Sequence, residues 1–123
     1  MKSYNTSLKI GIVGPCAAGK STLILGLKKY GISARHIAQE HSFAPDMWQK
    51  IAHPDLLIYL DASYDTTVQR RKMDWSEADY IDQVARLLHA RQNANMYLNT
   101  DNLSVKDVLQ EVLDFIHSKM DAS

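Results

Sequence analysis

The sequence predicts an α/β fold, a three-layer α/β/α sandwich on a short parallel sheet of about four strands. Three observations predict it. Strand-like and helix-like runs alternate along the chain, the order that gives a parallel sheet with helices on its faces. The run Leu56-Leu57-Ile58-Tyr59-Leu60, closed by Asp61, is continuously apolar, as in a strand buried on both faces. Between a strand and a helix stands Gly14-Pro15-Cys16-Ala17-Ala18-Gly19-Lys20-Ser21-Thr22, which fits the pattern G-x-x-x-x-G-K-[ST].

The elements follow in order. Leu8–Val13 is a short apolar strand. The glycine-rich segment leads into a helix over residues 20–30, with Leu23, Leu27 and Tyr30 on one face and Gly31 as its stop. A weaker strand covers Ser33–Ala38, and a short helix runs from Pro45-Asp46 to Ala52. The strand Pro54–Asp61 comes next. Ser63 or Asp65 caps a helix that extends through Lys72. Ser76 and Asp79 form a capping box for a long helix from Glu77 to Ala94, with Ile81, Val84 and Leu88 as its apolar line. Met96–Asn99 is the last strand. Ser104, with Asp107 three residues on, caps a final helix whose stripe is Val105, Val108, Leu109, Val112, Leu113 and Ile116.

Composition narrows the class. The 123 residues suit one domain with one core, residues 1–123. Fourteen basic side chains balance fourteen acidic ones, which gives no reason to expect nucleic-acid or membrane binding. No apolar run has membrane-spanning length, and the polar start lacks a signal core, so the expected compartment is the cytoplasm. Cys16 is the sole cysteine, which excludes an internal disulfide.

The glycine-rich segment carries the chemistry. A turn of this kind directs backbone N–H groups at a polyphosphate, and the helix that follows adds its unpaired N–H groups and positive dipole end. Lys20 reaches the outer phosphates and the Ser21 hydroxyl suits Mg²⁺. The expected ligand is a nucleoside triphosphate, ATP or GTP, contacted by Gly14, Pro15, Cys16, Ala17, Ala18, Gly19, Lys20, Ser21 and Thr22. Neither an Asp-x-x-Gly switch nor an Asn-Lys-x-Asp guanine reader occurs in the sequence.

Together with this loop, the strand Pro54-Asp55-Leu56-Leu57-Ile58-Tyr59-Leu60-Asp61 and the ending Tyr97-Leu98-Asn99-Thr100-Asp101-Asn102-Leu103-Ser104 resemble the P-loop nucleoside triphosphate hydrolase superfamily. The likeness is to its small kinases of the thymidylate, cytidylate and shikimate kind. The resemblance implies a phosphotransferase that uses Mg-ATP on a small acceptor, with arginines beyond the Asp61 strand closing over the phosphates. Here only residues 31–53 separate the loop helix from that strand, which leaves no room for the separate acceptor-binding domain of the family.

If Ser33–Ala38 lies beside the first strand, Glu40 falls at its carboxyl end near the metal position and becomes the favoured metal-orienting or base carboxylate. A solvated loop residue is the plain alternative. Asp61 competes, because apolar residues followed by Asp form a local metal-binding pattern, but it also fits a helix cap. Arg70 and Arg71 are placed to steady a transferring phosphoryl group, against the alternative of an exposed basic face. Arg86 and Arg91 are secondary. Cys16, inside an anion-binding loop, is either a reactive thiol or a tolerated small residue. Phe43, Met47, Trp48 and Trp75 either stack on a ligand or cover an edge or homodimer contact. The histidines show no metal-ligand spacing with cysteine or one another, and His41 is read as a loop residue or a substrate contact. Two functions follow: a small kinase acting on an unidentified acceptor, or a nucleotide-binding module that hydrolyses slowly and engages a protein partner.

Overall fold

The computed structural model describes residues 6–71 and 74–121. Four strands form one all-parallel sheet: β1 (Ile10–Val13), β2 (Ala34–His36), β3 (Leu56–Asp61) and β4 (Met96–Asn99), in the spatial order β2-β1-β3-β4. Register is fixed by pairs such as Ile12 with His36, Ile12 with Ile58, and Tyr59 with Tyr97. The helices are α1 (Lys20–Lys28), α2 (Tyr64–Arg71), α3 (Glu77–Arg86), α4 (Leu88–Asn93) and α5 (Val105–Asp121).

Side chains of β3 alternate between two cores, as the two-residue period of a strand requires. Leu56, Ile58 and Leu60 join Leu23 and Leu27 of α1 and Val112, Leu113 and Ile116 of α5. Leu57 and Tyr59 join Val13, Ile37, Trp48, Leu87 and Ala90 on the opposite face. Both faces are therefore covered, which is why β3 reads as unbroken apolar sequence. No helix among the described residues is long and apolar enough to cross a membrane.

Several boundaries differ from the sequence reading. The strand expected over Ser33–Ala38 contracts to Ala34–His36, because the chain turns into a short 3₁₀ segment at Gln39–His41. The short helix expected from Pro45-Asp46 to Ala52 forms as hydrogen-bonded turns at Pro45-Asp46 that widen into a π-helical segment over Trp48–Ala52, closed by His53 in the left-handed region. Gln39 ties this segment to the turn after β2: its side-chain oxygen accepts the Trp48 N–H at 2.8 Å, and its nitrogen donates to the Ala44 carbonyl at 2.8 Å.

The long helix expected from Glu77 to Ala94 is two helices broken at Leu87. The Gln39 side chain also donates to the Arg86 carbonyl at 3.2 Å, drawing on an acceptor next to the break, and the Leu87 N–H is shared between Gln83 and Val84. The buried face of this pair is Gln83, Leu87 and Ala90, whereas Ile81 and Leu88 are exposed. Val105 in α5 is likewise exposed, although the rest of its stripe faces the sheet. Both capping boxes form as read: Ser76 with Asp79 and Ser104 with Asp107 exchange backbone-to-side-chain bonds at 3.0–3.1 Å. Lys72, the expected end of α2, lies outside the described residues, as does the polar start at Met1–Asn5.

At Gly14 the backbone passes directly under the end of β3. A Cβ added there would sit 2.0 Å from the Leu60 carbonyl oxygen, and φ is +152°. Gly14→Ala is expected to cost about 3 kcal/mol or more in a denaturant melt, since neither backbone can yield. Gly26→Ala, where only the Leu109 side chain is approached, is expected to change stability by less than about 1 kcal/mol.

Candidate functional site

All four strands run the same way, so their carboxyl ends share one edge. Gly14 follows β1, Glu40 lies beyond β2, Ala62 follows β3 and Thr100 follows β4. The glycine-rich loop wraps this edge. Ala17 (φ +65°) and Gly19 (φ +102°) take left-handed conformations, and the turn is closed by the Ala18 N–H on the Pro15 carbonyl at 3.2 Å. Helix α1 then starts at Lys20 with no side-chain cap. Its first N–H groups, at Lys20 and Ser21, find no acceptor among the described residues, nor does the N–H of Gly19. Open N–H groups at a helix start, next to a left-handed turn, form a cradle for an anion.

Lys20 folds back over the loop. Its ammonium donates to the Gly14 and Pro15 carbonyls and meets Glu40 Oε2 at 2.8 Å. Lys20 is 6% exposed and Glu40 2%. Glu40 is therefore a buried partner of the loop lysine and not a solvated loop carboxylate. His36 Nε2 lies 3.5 Å and His41 Nε2 4.0 Å from the same oxygen. Among the described residues, the second oxygen, Oε1, is buried without a hydrogen-bond partner. The 3₁₀ turn that carries Glu40 is pinned by Gln39, fully buried beside it, and by Arg86, which donates to the Glu40 carbonyl at 3.3 Å.

Gln83 reaches the loop from α3. Its Oε1 accepts the Cys16 N–H at 2.9 Å, which orients the amide so that Nε2 donates to Cys16 Sγ at 3.1 Å. Arg70 reaches the loop from α2. Its guanidinium donates to the Ala17 carbonyl at 3.1 Å, to the Thr100 hydroxyl at 2.9 Å and to the Thr100 carbonyl at 2.8 Å. The buried Thr100 hydroxyl in turn sits 2.9 Å from the Asp61 carbonyl and 3.2 Å from that of Ala18. Two cavities flank the loop. One, of about 620 Å³, lies between Ala17, Thr22, Arg70, Thr100, Leu103 and Val108; the other, of about 340 Å³, lies at the mouth among Cys16, Lys20, Ser21, His36, Glu40 and His41.

Of the expected site residues, the structure gathers the loop, Glu40 and Arg70. Arg71 also lines the larger cavity, but its guanidinium lies over the Trp75 ring, 5.0 Å from the centroid. The carboxylate of Asp61 accepts the Ala62 N–H and the Tyr97 hydroxyl. Trp48 is core, with its indole N–H on His89 Nδ1 at 3.0 Å, so the apolar group read with Phe43 divides. Phe43 itself is 85% exposed, with Arg86 over its ring at 4.5 Å. Arg91 lies over Tyr97. Gln39, Gln83 and Thr100 were not singled out from sequence. Thr100 carried a faint signal, its place just past a strand end; the two glutamines carried none.

Compared with known proteins, the chain matches no family model and no curated sequence.

Three phenols surround Asp61. Burial first, and then the Asp61 carboxylate, push Tyr59 and Tyr80 above the ordinary phenol range; for Tyr97 burial is followed by its hydrogen bond to Asp61. Raised values mean that the folded state favours the neutral phenol. This stabilisation is complete below the ordinary phenol pKa near ten and is lost as pH rises through the folded values. An ultraviolet titration is expected to show late-ionising tyrosines, with unfolding accompanying their ionisation. Asp61→Asn should shift their titration to lower pH.

Proposed function

We propose that the chain is a P-loop nucleoside-triphosphate-binding protein of the small-kinase type, which uses Mg-ATP to phosphorylate a small acceptor. One observation carries this reading: a loop with open backbone N–H groups presents its lysine to a fully buried carboxylate at the carboxyl edge of a parallel sheet. Ligands of open parallel sheets bind at that edge.

Each residue has a role on this reading. The N–H groups of Gly19, Lys20 and Ser21 bind phosphate oxygens, aided by the dipole of α1. Lys20 exchanges Glu40 for phosphate when nucleotide enters. The Ser21 hydroxyl and the unpartnered Glu40 Oε1 are hard oxygen donors of the kind Mg²⁺ takes, so the residues fit that ion. When bound, Mg²⁺ neutralises charge on the phosphate oxygens. Glu40, next to the mouth cavity, is placed to orient the metal or accept a proton from the acceptor. Arg70, anchored to Ala17 and Thr100, brings fixed positive charge to the loop rim. The larger cavity, apolar along Leu103 and Val108, has the size of a nucleoside site.

A second reading, a binding module with slow hydrolysis, is favoured by the exposed Phe43 on the segment between β2 and β3, a surface suited to a protein partner.

The tests separate these. Mg-ATP or Mg-GTP at a hundredfold excess over its dissociation constant should stabilise the protein by about 2.7 kcal/mol in a thermal melt. Lys20→Met should abolish this shift. Because the single change leaves Glu40 buried and unpaired, the double variant Lys20→Met with Glu40→Gln should be more stable than Lys20→Met and equally unable to bind. Glu40→Gln alone should retain nucleotide while cutting acceptor-dependent ADP release by about a hundredfold or more. Unchanged release would remove Glu40 from the chemistry. Binding without any acceptor-stimulated ADP release, across a panel of nucleosides, nucleotides and small metabolites, would leave the module reading.

A further inference from the structure

The mouth of the loop brings together three side chains of a kind that magnesium chemistry does not need. Cys16 Sγ, His41 Nε2 and a Glu40 carboxylate oxygen all lie within 4.8 Å of one another. The sulfur is 3.9 Å from His41 Nε2, and that nitrogen is 4.0 Å from Glu40 Oε2. Ligand atoms around a tetrahedral zinc ion are separated by roughly 3.3–3.8 Å, given bonds of about 2.0–2.3 Å. A small rotation of the exposed His41 ring would bring its own two distances toward that range, and the spacing of Cys16 from Glu40, within 4.8 Å, would close by movement of the Cys16 side chain.

Two further observations point to a ligand here. Glu40 is 2% exposed, yet among the described residues its Oε1 has no partner, so this buried carboxylate has unused capacity beside the cluster. Cys16 is also held from behind: Gln83 accepts its backbone N–H and donates to its sulfur, which fixes the position of the sulfur beside Glu40 and His41. The three donors come from two segments, the loop after β1 and the turn after β2. The strand order β2-β1 makes these segments neighbours.

We propose that Cys16, Glu40 and His41 form a binding site for a borderline-soft divalent cation, Zn²⁺ by its donor set, at the mouth of the loop. Thiolate, imidazole and carboxylate are zinc ligands, and a three-residue set leaves a fourth position open at the 340 Å³ cavity. Mg²⁺ does not take thiolate, so this site is distinct in chemistry from the magnesium position although Glu40 belongs to both.

The experiment uses the full chain without nucleotide, in buffer free of competing thiols. Titration with Co²⁺ as a spectroscopic probe is expected to raise a thiolate-to-cobalt charge-transfer band at one equivalent, and Zn²⁺ should displace it. Cys16→Ser should abolish the band, and His41→Ala should weaken Zn²⁺ binding by about tenfold or more, whereas His117→Ala, far along the chain on α5, should not. X-ray absorption of the zinc-loaded wild type should show one sulfur at about 2.3 Å with nitrogen or oxygen neighbours at about 2.0–2.2 Å. A zinc shell without sulfur, or cobalt bound without the band, would overturn the site even if a variant fails to fold. Because no nucleotide is present, failure here leaves the phosphate-binding reading untouched, and failure of that reading leaves this one standing.

Discussion

The buried pair of Lys20 and Glu40 is the contact on which the arrangement of the site depends. Removing both charges from water costs several kcal/mol per ion, and mutual attraction offsets this only when the remaining hydrogen-bonding capacity is used. The lysine meets that condition. Its ammonium has two loop carbonyls besides the carboxylate. The carboxylate does not, since Oε1 is left over. The pair is therefore more than a staple between the β1 loop and the β2 turn. It holds a charged group in a state that an incoming cation or phosphate can improve, and such local incompleteness is where function is expected to sit.

Around that pair the loop is clamped from three directions while the N–H groups of Gly19, Lys20 and Ser21 stay open. Gln83 holds Cys16 from α3, Arg70 holds Ala17 from α2, and Thr100 holds Ala18 from the end of β4. Each clamp uses a group on the outer side of the loop: the Cys16 N–H or the carbonyls of Ala17 and Ala18. None takes the N–H of Gly19, Lys20 or Ser21. The backbone is thus fixed in position with its donors free, and on the nucleotide-binding reading little ordering would remain to be done on binding. A set of polar residues that would be neutral in isolation becomes a preorganised cradle because the parallel sheet delivers all of them to one edge.

How much of this was legible in the sequence follows from the kind of signal each part leaves. β3 announced itself through unbroken apolar residues because it is buried on both faces. The two capping boxes are local, complete within four residues, and formed as read. The place of β2 beside β1, with Glu40 at its carboxyl end, was legible only on the condition that Ser33–Ala38 is the sole strand available there, and the contact of Glu40 with Lys20 left no mark in the sequence. The face of α3 was misread for a specific reason. Its buried line begins with Gln83, a polar residue turned inward by the Cys16 backbone 67 positions earlier, and Ile81 and Leu88 gave a false apolar stripe. Gln39 hid in the same way, since its partners at Ala44, Trp48 and Arg86 are defined only once the chain has folded. Hydrophobic period reports burial of apolar groups; it is silent where burial is driven by side-chain amides satisfying backbone.

The strand order also bears on what an acceptor can meet. In a sheet ordered β2-β1-β3-β4, the turn after β2 lies directly beside the glycine-rich loop, and no inserted domain intervenes between β2 and β3. The wall of the mouth is then made by that turn itself, through His36, Glu40 and His41, with Gln83 behind Cys16. The arginines are engaged with the protein itself: Arg70 is at the opposite rim against Thr100, and Arg86, over Phe43, donates to the Glu40 carbonyl behind the turn. A wall of imidazoles and one carboxylate offers proton acceptors more than fixed positive charge. On the kinase reading, this favours a hydroxyl-bearing acceptor over one that presents its own phosphate, because among the described residues lining the mouth the one cation, Lys20, is already committed to Glu40 and the loop carbonyls.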